Sequence, residues 1–306
     1  MRSEKERKNS EIKNKVSVAG RSVIGKGRTA AVYDMGGGKV VKLFDPSVPF
    51  ESIRQEYVLT QLAHEKGIPA ANAYEIVMSG ESYGIMMEKL KGVELEAYIK
   101  EHPDKKNELI NRFAGFVRKL HQIDNHDERM RDIRDYSISL TEQLDPSFCS
   151  KDEAEKIRTV FECIPSATTF VHGDCHPGNV IIAGNEMQLI DMMLCGKGHQ
   201  VFDLLCMYSH YVFLPSFITD DDCISRFGVD KKQLESLYDS FLIAYFDKSG
   251  DQDIFDIKEQ IRGVHAARLC LASVVMPGAF PDEVLIVSKN RAVRFAEKEI
   301  SWITSK

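Results

Sequence analysis

The chain has 306 residues, with 40 Lys and Arg against 46 Asp and Glu, a formal net charge of −6. At about 150 residues per domain this length predicts two domains or lobes, enough to bury a core without disulfides or metals. The hydrophobic fraction of 43% and charged fraction of 28% exclude global disorder. The mild acidity argues against a dedicated nucleic-acid binder, which carries a basic excess.

Residues 1–15 are polar, with six Lys/Arg and three Asp/Glu, and read as a frayed or helical lead-in. They have charge but no apolar core behind it, so they are not a secretory signal. From Val16 to Glu88 the pattern is mostly strand-like. Ala31–Tyr33 and Val40–Phe44 flank Gly36–Gly38 and read as a hairpin. A helix follows from about Glu51 to Glu65, with Ile53, Tyr57 and Leu62 near helical spacing, ended by Gly67 and Pro69. Ala73–Met78 and Tyr83–Glu88 form a second hairpin.

After Leu90 the texture turns helical. Leu109, Phe113, Phe116, Val117, Leu120 and Ile123 trace one apolar stripe. Segments near 151–163, 231–246, 255–275 and 283–303 also read as helices. The exception is Phe170–Asp191, where two apolar runs flank a turn-rich loop and a turn at Gly184-Asn185. The order is a β-rich lobe with one helix, 16–88, then a larger helical lobe, 89–306. The most apolar stretch, Leu269–Met276, is far short of the roughly 20 residues of a spanning helix, so no membrane partner is expected. Seven scattered cysteines without a C-x-x-C predict a reduced, cytoplasmic setting.

The chemistry concentrates in His172-Gly173-Asp174-Cys175-His176-Pro177-Gly178-Asn179, followed by Leu189-Ile190-Asp191. Glycine and proline make this a rigid loop. Asp174 lies at its start, Asn179 at its end, and Asp191 just past the second apolar run. Phosphoryl transfer needs a carboxylate to orient or deprotonate a hydroxyl and hard oxygen ligands for Mg²⁺. His172, Cys175 and His176 also suggest zinc, but Gly173, Pro177 and Gly178 forbid the helix that would align the two histidines.

The segment resembles the aminoglycoside phosphotransferase/choline kinase family of small-molecule kinases, whose signature is H-G-D-x-x-x-x-N followed by Ile/Leu-Asp. The resemblance covers roughly residues 16–300 and is sharpest over 171–204. It implies an α+β, protein-kinase-like bilobal fold, with a small β-rich N-lobe holding one helix and a larger, mostly helical C-lobe. It implies ATP and Mg²⁺ as cofactors and a small-molecule hydroxyl as acceptor. Asp174 would be the base, His172 would brace the loop, and Asn179 and Asp191 would hold metal. Gly25 and Gly27 resemble the phosphate-covering loop, with Ala30 in the third glycine position. Lys42 would pair with the α/β-phosphates. Glu56 would be its ion-pair partner, with Glu51 the competitor. Met86–Leu90, with Glu88 and Lys89, resembles the adenine-holding hinge, and Asp203 would brace the catalytic loop.

Two departures stand out. Met192-Met193 replaces the Phe-Gly that follows the metal aspartate in protein kinases. Only eleven residues separate Asp191 from Asp203, and no A-P-E follows, which leaves no room for a peptide platform. The rival readings are a kinase-fold nucleotide-binding regulatory module and a kinase of protein hydroxyls. Residues 218–259 hold eleven Asp/Glu against five Lys/Arg. A solvated helical face is the favoured reading, ahead of an acidic wall for a cationic substrate. Oligomeric state is not legible.

Overall fold

In the computed structural model, which describes residues 12–248, 251–298 and 302, the chain forms two units. The first comprises residues up to Leu95 together with Gly178–Leu194; the second comprises Glu96–Pro177 and the chain from Cys195 onward.

The first unit is built on a six-stranded sheet. Its strands are β1 (Ile12–Lys15), β2 (Val23–Lys26), β3 (Ala30–Gly36), β4 (Lys39–Phe44), β5 (Ala73–Ser79) and β6 (Ser82–Glu88). They lie in the order β1-β5-β6-β4-β3-β2, all antiparallel except the β1–β5 pair. Residues 12–15, expected within a lead-in, are therefore an edge strand. Asn14 and Lys15 suit an edge, where charge discourages further pairing, and the polar sequence hides the strand from hydrophobic periodicity. The rest of the expected lead-in, 1–11, lies outside the described residues.

Helix α1 (Phe50–Glu65) begins after Pro49 and is stopped by Gly67, whose φ of 72° turns the chain so that the Ile68 N–H donates back to the Ala63 carbonyl at 3.0 Å. Side-chain alternation along β4 decides what faces this helix. Val41 packs with Val77 and Met86 on one face of the sheet, with Leu43 beside them. Phe44 packs with Ile53 of α1, Ala73 and Ile85 on the other. Lys42 shares the parity of Phe44, and Glu56 lies one helical turn after Ile53. The hydrophobic pattern thus brings lysine and glutamate to the same layer.

A smaller sheet completes this unit. Val180–Ala183 and Glu186–Leu189 form a hairpin turned at Gly184-Asn185, and Val93–Glu94 pairs with its first strand. Gly92 makes that pairing possible. Its φ is 113°, and a Cβ there would stand 2.1 Å from the Ile182 carbonyl oxygen. The turn Met192–Leu194 follows, buries Met192 and packs against α1.

The second unit is helical. It holds α2 (Leu95–Glu101), α3 (Lys106–Leu120), α4 (Ile133–Thr141), α5 (Lys151–Glu162), α6 (Val201–Tyr208), α7 (Asp220–Phe227), α8 (Lys231–Phe246), α9 (Asp251–Val275) and α10 (Asp282–Ala296). The stripe of α3 buries Leu109, Ile110, Phe113, Val117 and Leu120, and Phe113 meets Phe241 of α8 at 5.5 Å. Helix α9 packs on α10, α6 and α5. Phe170–Val171 pairs with Gly196–Lys197. The last helix stops at Ala296, short of the expected 303, and residues 299–301 and 303 lie outside the described residues. Trp302 sets its ring edge against His199 at 5.5 Å.

Three of the acidic residues in the 218–259 window have local roles. Asp222 and Thr219 cap α7 reciprocally, Asp230 caps α8, and Asp239 pairs with Lys258. All seven cysteines are free thiols, and all but Cys163 are buried. Among the described residues no helix is long and apolar enough to cross a membrane.

Candidate active site

In the first unit the predicted residues meet around Lys42. Its Nζ lies 2.6 Å from Glu56 Oε1 and 3.2 Å from Asp191 Oδ1. Burial of Lys42 disfavours its charge, but the charges of Glu56 and Asp191 and their hydrogen bonds outweigh this and hold its pKa above the ordinary value. Glu51, the competing partner, is exposed and pairs with Arg54 at 3.1 Å. The helical phase explains the choice, because Glu56 shares the face of Ile53 and Glu51 does not.

Asp191 stands at the open end of the 180–189 hairpin, beside Asn179. The Ile190 N–H donates to the Asn179 carbonyl at 3.0 Å. Asp191 has φ of 63°, a left-handed conformation that costs a non-glycine residue roughly 1–3 kcal/mol and that concentrates at functional sites. A carboxylate and an amide at one hairpin end, with a protonated lysine alongside, supply hard oxygens and a cation. These donors suit a Mg²⁺-bound polyphosphate.

Gly25 and Gly27 flank the β2–β3 turn, where the Gly27 N–H donates to the Ala30 carbonyl at 2.8 Å. Neither has a left-handed φ, and an added Cβ would meet only ordinary contacts at 3.6 Å. The fold itself therefore does not require glycine at either position. At the predicted hinge, Glu88 N–H donates to Asn72 O at 2.8 Å and Lys89 N–H to Gly38 O at 2.9 Å. The Lys89 side chain pairs with Asp34 at 2.6 Å. Both backbone donors are committed within the lobe. Among the described residues, the Leu90 N–H makes no backbone hydrogen bond.

In the second unit the catalytic-loop residues hang on Asp203 of α6. This fully buried carboxylate accepts hydrogen bonds from His172 N at 2.9 Å, Gly173 N at 2.6 Å and His121 Nε2 at 3.0 Å. Burial pushes its pKa up. The hydrogen bond and charge of His121, followed by His172, overcome this and leave the pKa below the usual carboxylate range. His121 Nδ1 lies 2.7 Å from the Tyr245 hydroxyl. A carboxylate only accepts, so His121 donates from Nε2, and its Nδ1 lies against the tyrosine hydroxyl.

From the other side, Arg268 of α9 donates to the Gly173 carbonyl at 2.6 Å and to the Phe202 carbonyl at 3.2 Å. Gly173 is thus held through the peptides on both sides of its Cα, by its N–H and by its C=O, with φ at 80°. His172 is completely buried, and its Nδ1 accepts from Asp174 N at 3.3 Å. The Asp174 side chain, in contrast, is 46% exposed.

Sequence reasoning missed His121, Tyr245 and Arg268. Arg268 left a trace, as a lone cation in the apolar run Val264–Leu271, where a buried charge requires a partner. His121 and Tyr245 left none.

A sheet carrying a paired lysine, joined in sequence to a helical unit with a braced His-Gly-Asp loop, is the protein-kinase-like architecture. The model of the phosphotransferase enzyme family matches residues 21–245, and the chain belongs to that family. Phosphotransfer is therefore its activity at the level of the family. A search of curated protein sequences returns no match. Among solved structures it is similar to the ADP-bound aminoglycoside phosphotransferase APH(2'')-Ib, at 17% identity and TM-score 0.56, covering 96% of this chain and 97% of that one. It is similar to a thermostable mutant of aminoglycoside phosphotransferase APH(4)-Ia at 10% identity and TM-score 0.58, covering 90% and 94%. It also resembles a choline/ethanolamine kinase family protein from Mesorhizobium loti at 13% identity and TM-score 0.53, covering 90% and 87%. At these identities the likeness is one of fold.

Proposed function

We propose that this protein transfers the γ-phosphoryl group of ATP to a hydroxyl of a small molecule, with Mg²⁺ as cofactor. The observation that carries this reading is Lys42, kept protonated between Glu56 and Asp191. A buried ion pair is a poor route to stability, whereas a fixed cation beside a strained aspartate suits a polyphosphate.

In this reading Lys42 pairs with phosphate oxygens, Asn179 and Asp191 hold the metal, and Gly25 and Gly27 let the β2–β3 backbone approach the phosphates. The Leu90 N–H is the hinge donor left for the adenine edge. When bound, Mg²⁺ neutralises charge that develops on the transferring group. Asp174 accepts the proton of the acceptor hydroxyl, and its exposure allows that hydroxyl to reach it. His172, Asp203, His121 and Arg268 keep the loop in register and touch no substrate.

A small acceptor is favoured over a protein. The segment between Asp191 and Asp203 is taken up by the Met192–Leu194 turn and by Gly196–Lys197, which is paired with Phe170–Val171. The test is a screen of small hydroxyl compounds for phosphorylated product, followed by Asp174→Ala on the best acceptor. A general base contributes about 10²–10⁴ in rate. The variant should lose turnover by that factor while binding nucleotide as before. Equal loss of nucleotide binding and turnover contradicts the assignment.

A further inference from the structure

Two residues past Asp174, His176 begins a line of polar groups that neither phosphate binding nor loop bracing uses. Its Nε2 lies 3.8 Å from Asp174 Oδ2. Its ring lies flat on that of His210, with centroids 4.0 Å apart and planes 19° apart. His210 Nε2 in turn lies 2.6 Å from Glu96 Oε1, in the first turn of α2. His210 is further fixed by the ring of Tyr211 at 5.6 Å and by Phe227, edge-on, at 5.4 Å.

The charge states follow from these contacts. Burial pushes the Glu96 carboxyl up, but the hydrogen bond and charge of His210, with His176 and Arg226, overcome this and hold it below its ordinary pKa. An ionised Glu96 only accepts, so His210 presents Nε2–H to it. His176 is driven down to about 4, chiefly by burial and then by the charge of His210, with His172 adding to the effect; Asp174 and Glu96 pull the other way. At neutral pH a neutral imidazole therefore lies beside the Asp174 carboxylate.

Three polar side chains in a row, nearly buried, are a costly way to fill space that apolar groups would fill more cheaply. Asp174, at their end, is the exposed member, with 46% of its side chain accessible. A proton acceptor must be held in one orientation, since a misplacement of about 1 Å can cost on the order of 10² in rate. We propose that Glu96, His210 and His176 form a positioning arm that fixes the Asp174 carboxylate for its encounter with the acceptor hydroxyl. This rests on the reading of Asp174 as the base.

Ionised Glu96 locks the His210 ring. The stacked His210 denies His176 alternative rotamers. His176, donating from Nε2 directly after a small rotation of Asp174 or through one water, engages Oδ2 and so restrains the carboxylate plane. His176 acts through Asp174 and touches no substrate.

The test compares His176→Ala, His176→Gln and Glu96→Gln with Asp174→Ala. His176→Ala should lower kcat by about 10²-fold with the nucleotide KM nearly unchanged. Glutamine at 176 restores a donor near the Nε2 position and should recover part of the loss. Glu96→Gln should give a smaller fall in kcat. A normal kcat in His176→Ala, with turnover abolished in Asp174→Ala, overturns the arm and leaves the base assignment standing. Full turnover in Asp174→Ala overturns the base assignment itself.

A readout free of turnover is the NMR titration of the His176 ring. Asp174 raises its pKa, so Asp174→Asn should shift the titration further down. Superimposable curves overturn the arm even if every alanine variant is inactive for other reasons.

Discussion

Replacing Asp203 with asparagine tests the brace beneath the catalytic loop. The wild-type carboxylate divides three donors between two oxygens: Oδ2 serves His172 N and His121 Nε2, and Oδ1 serves Gly173 N. Asparagine has one oxygen. Its better orientation keeps His172 and His121 satisfied and turns an NH₂ group toward the Gly173 N–H, donor against donor at a site where the native separation is 2.6 Å. Hydrogen bonds to a charged acceptor contribute about 1.5–3 kcal/mol, and a buried donor left without a partner costs about 1–3 kcal/mol. These costs overlap, so a net destabilisation of about 2–4 kcal/mol is expected, a large share of the roughly 5–15 kcal/mol of a typical domain. The Gly173 peptide would turn to relieve the clash and carry Asp174 with it, lowering kcat by about 10²-fold. Urea unfolding at pH 7 and steady-state turnover measure the two effects. The wild-type contribution persists at neutral pH because the Asp203 pKa is depressed, and it is lost only as pH falls below the ordinary carboxylate range. A change under about 0.5 kcal/mol, the usual range for surface substitutions, with normal turnover would refute the brace.

Other outcomes follow from the same geometry. Glu56→Gln removes one of the two charges that hold Lys42, and nucleotide affinity measured by calorimetry should fall about tenfold, in line with loss of a charge-assisted bond; unchanged affinity would show that Asp191 alone positions the lysine. Arg268→Met keeps the aliphatic stem but frees the Gly173 carbonyl, so stability should fall by about 1–3 kcal/mol and kcat should fall while the nucleotide KM holds; Arg268→Lys should recover part of both. Burial, with the nearby Arg268 and Arg291, pushes His265 down to about 3, and burial pushes His199 and His176 down to about 4. The unfolded chain protonates these groups near pH 6.5, so their contribution is intact above that pH and lost as pH falls toward 4, at about 1.4 kcal/mol per unit for a fully buried ring. Urea midpoints should fall steadily between pH 6.5 and 4.5, less so in His265→Phe, and a flat profile would sink this account.

Periodicity and turn chemistry disclosed much of the fold. The β3–β4 and β5–β6 hairpins and α1 follow from alternation, glycine turns, helical spacing and the Gly67 and Pro69 stop signals. The Lys42–Glu56 pairing was implied by the family resemblance with Glu51 still in competition, and the helical phase seen in the structure decides between them. Asp203 was legible because it lies close to the loop in a recognisable pattern. Its partner His121 was not, since 82 residues separate them and nothing local marks a histidine at the end of α3 as a ligand of a buried carboxylate. The Glu96–His210 contact spans 114 residues and is equally silent. Hydrophobic period says which face of an element is covered, but not which polar group on another element covers it. The edge strand Ile12–Lys15 was lost for a related reason, because its polar composition is what a sheet edge tolerates.

The first unit is assembled from two distant stretches of chain. Val93–Glu94 finds its strand partner only at Ile181–Ile182, and the Lys42 cluster draws Asp191 from beyond the intervening helices of the second unit. At about 5–20 residues per second of synthesis, several seconds pass between emergence of the sheet and arrival of the segment that finishes it. During that interval Lys42 and Glu56 have been synthesised and Asp191 has not. The ribosome thus delivers a unit that cannot acquire its complete charge cluster until a large part of the second unit has already been made.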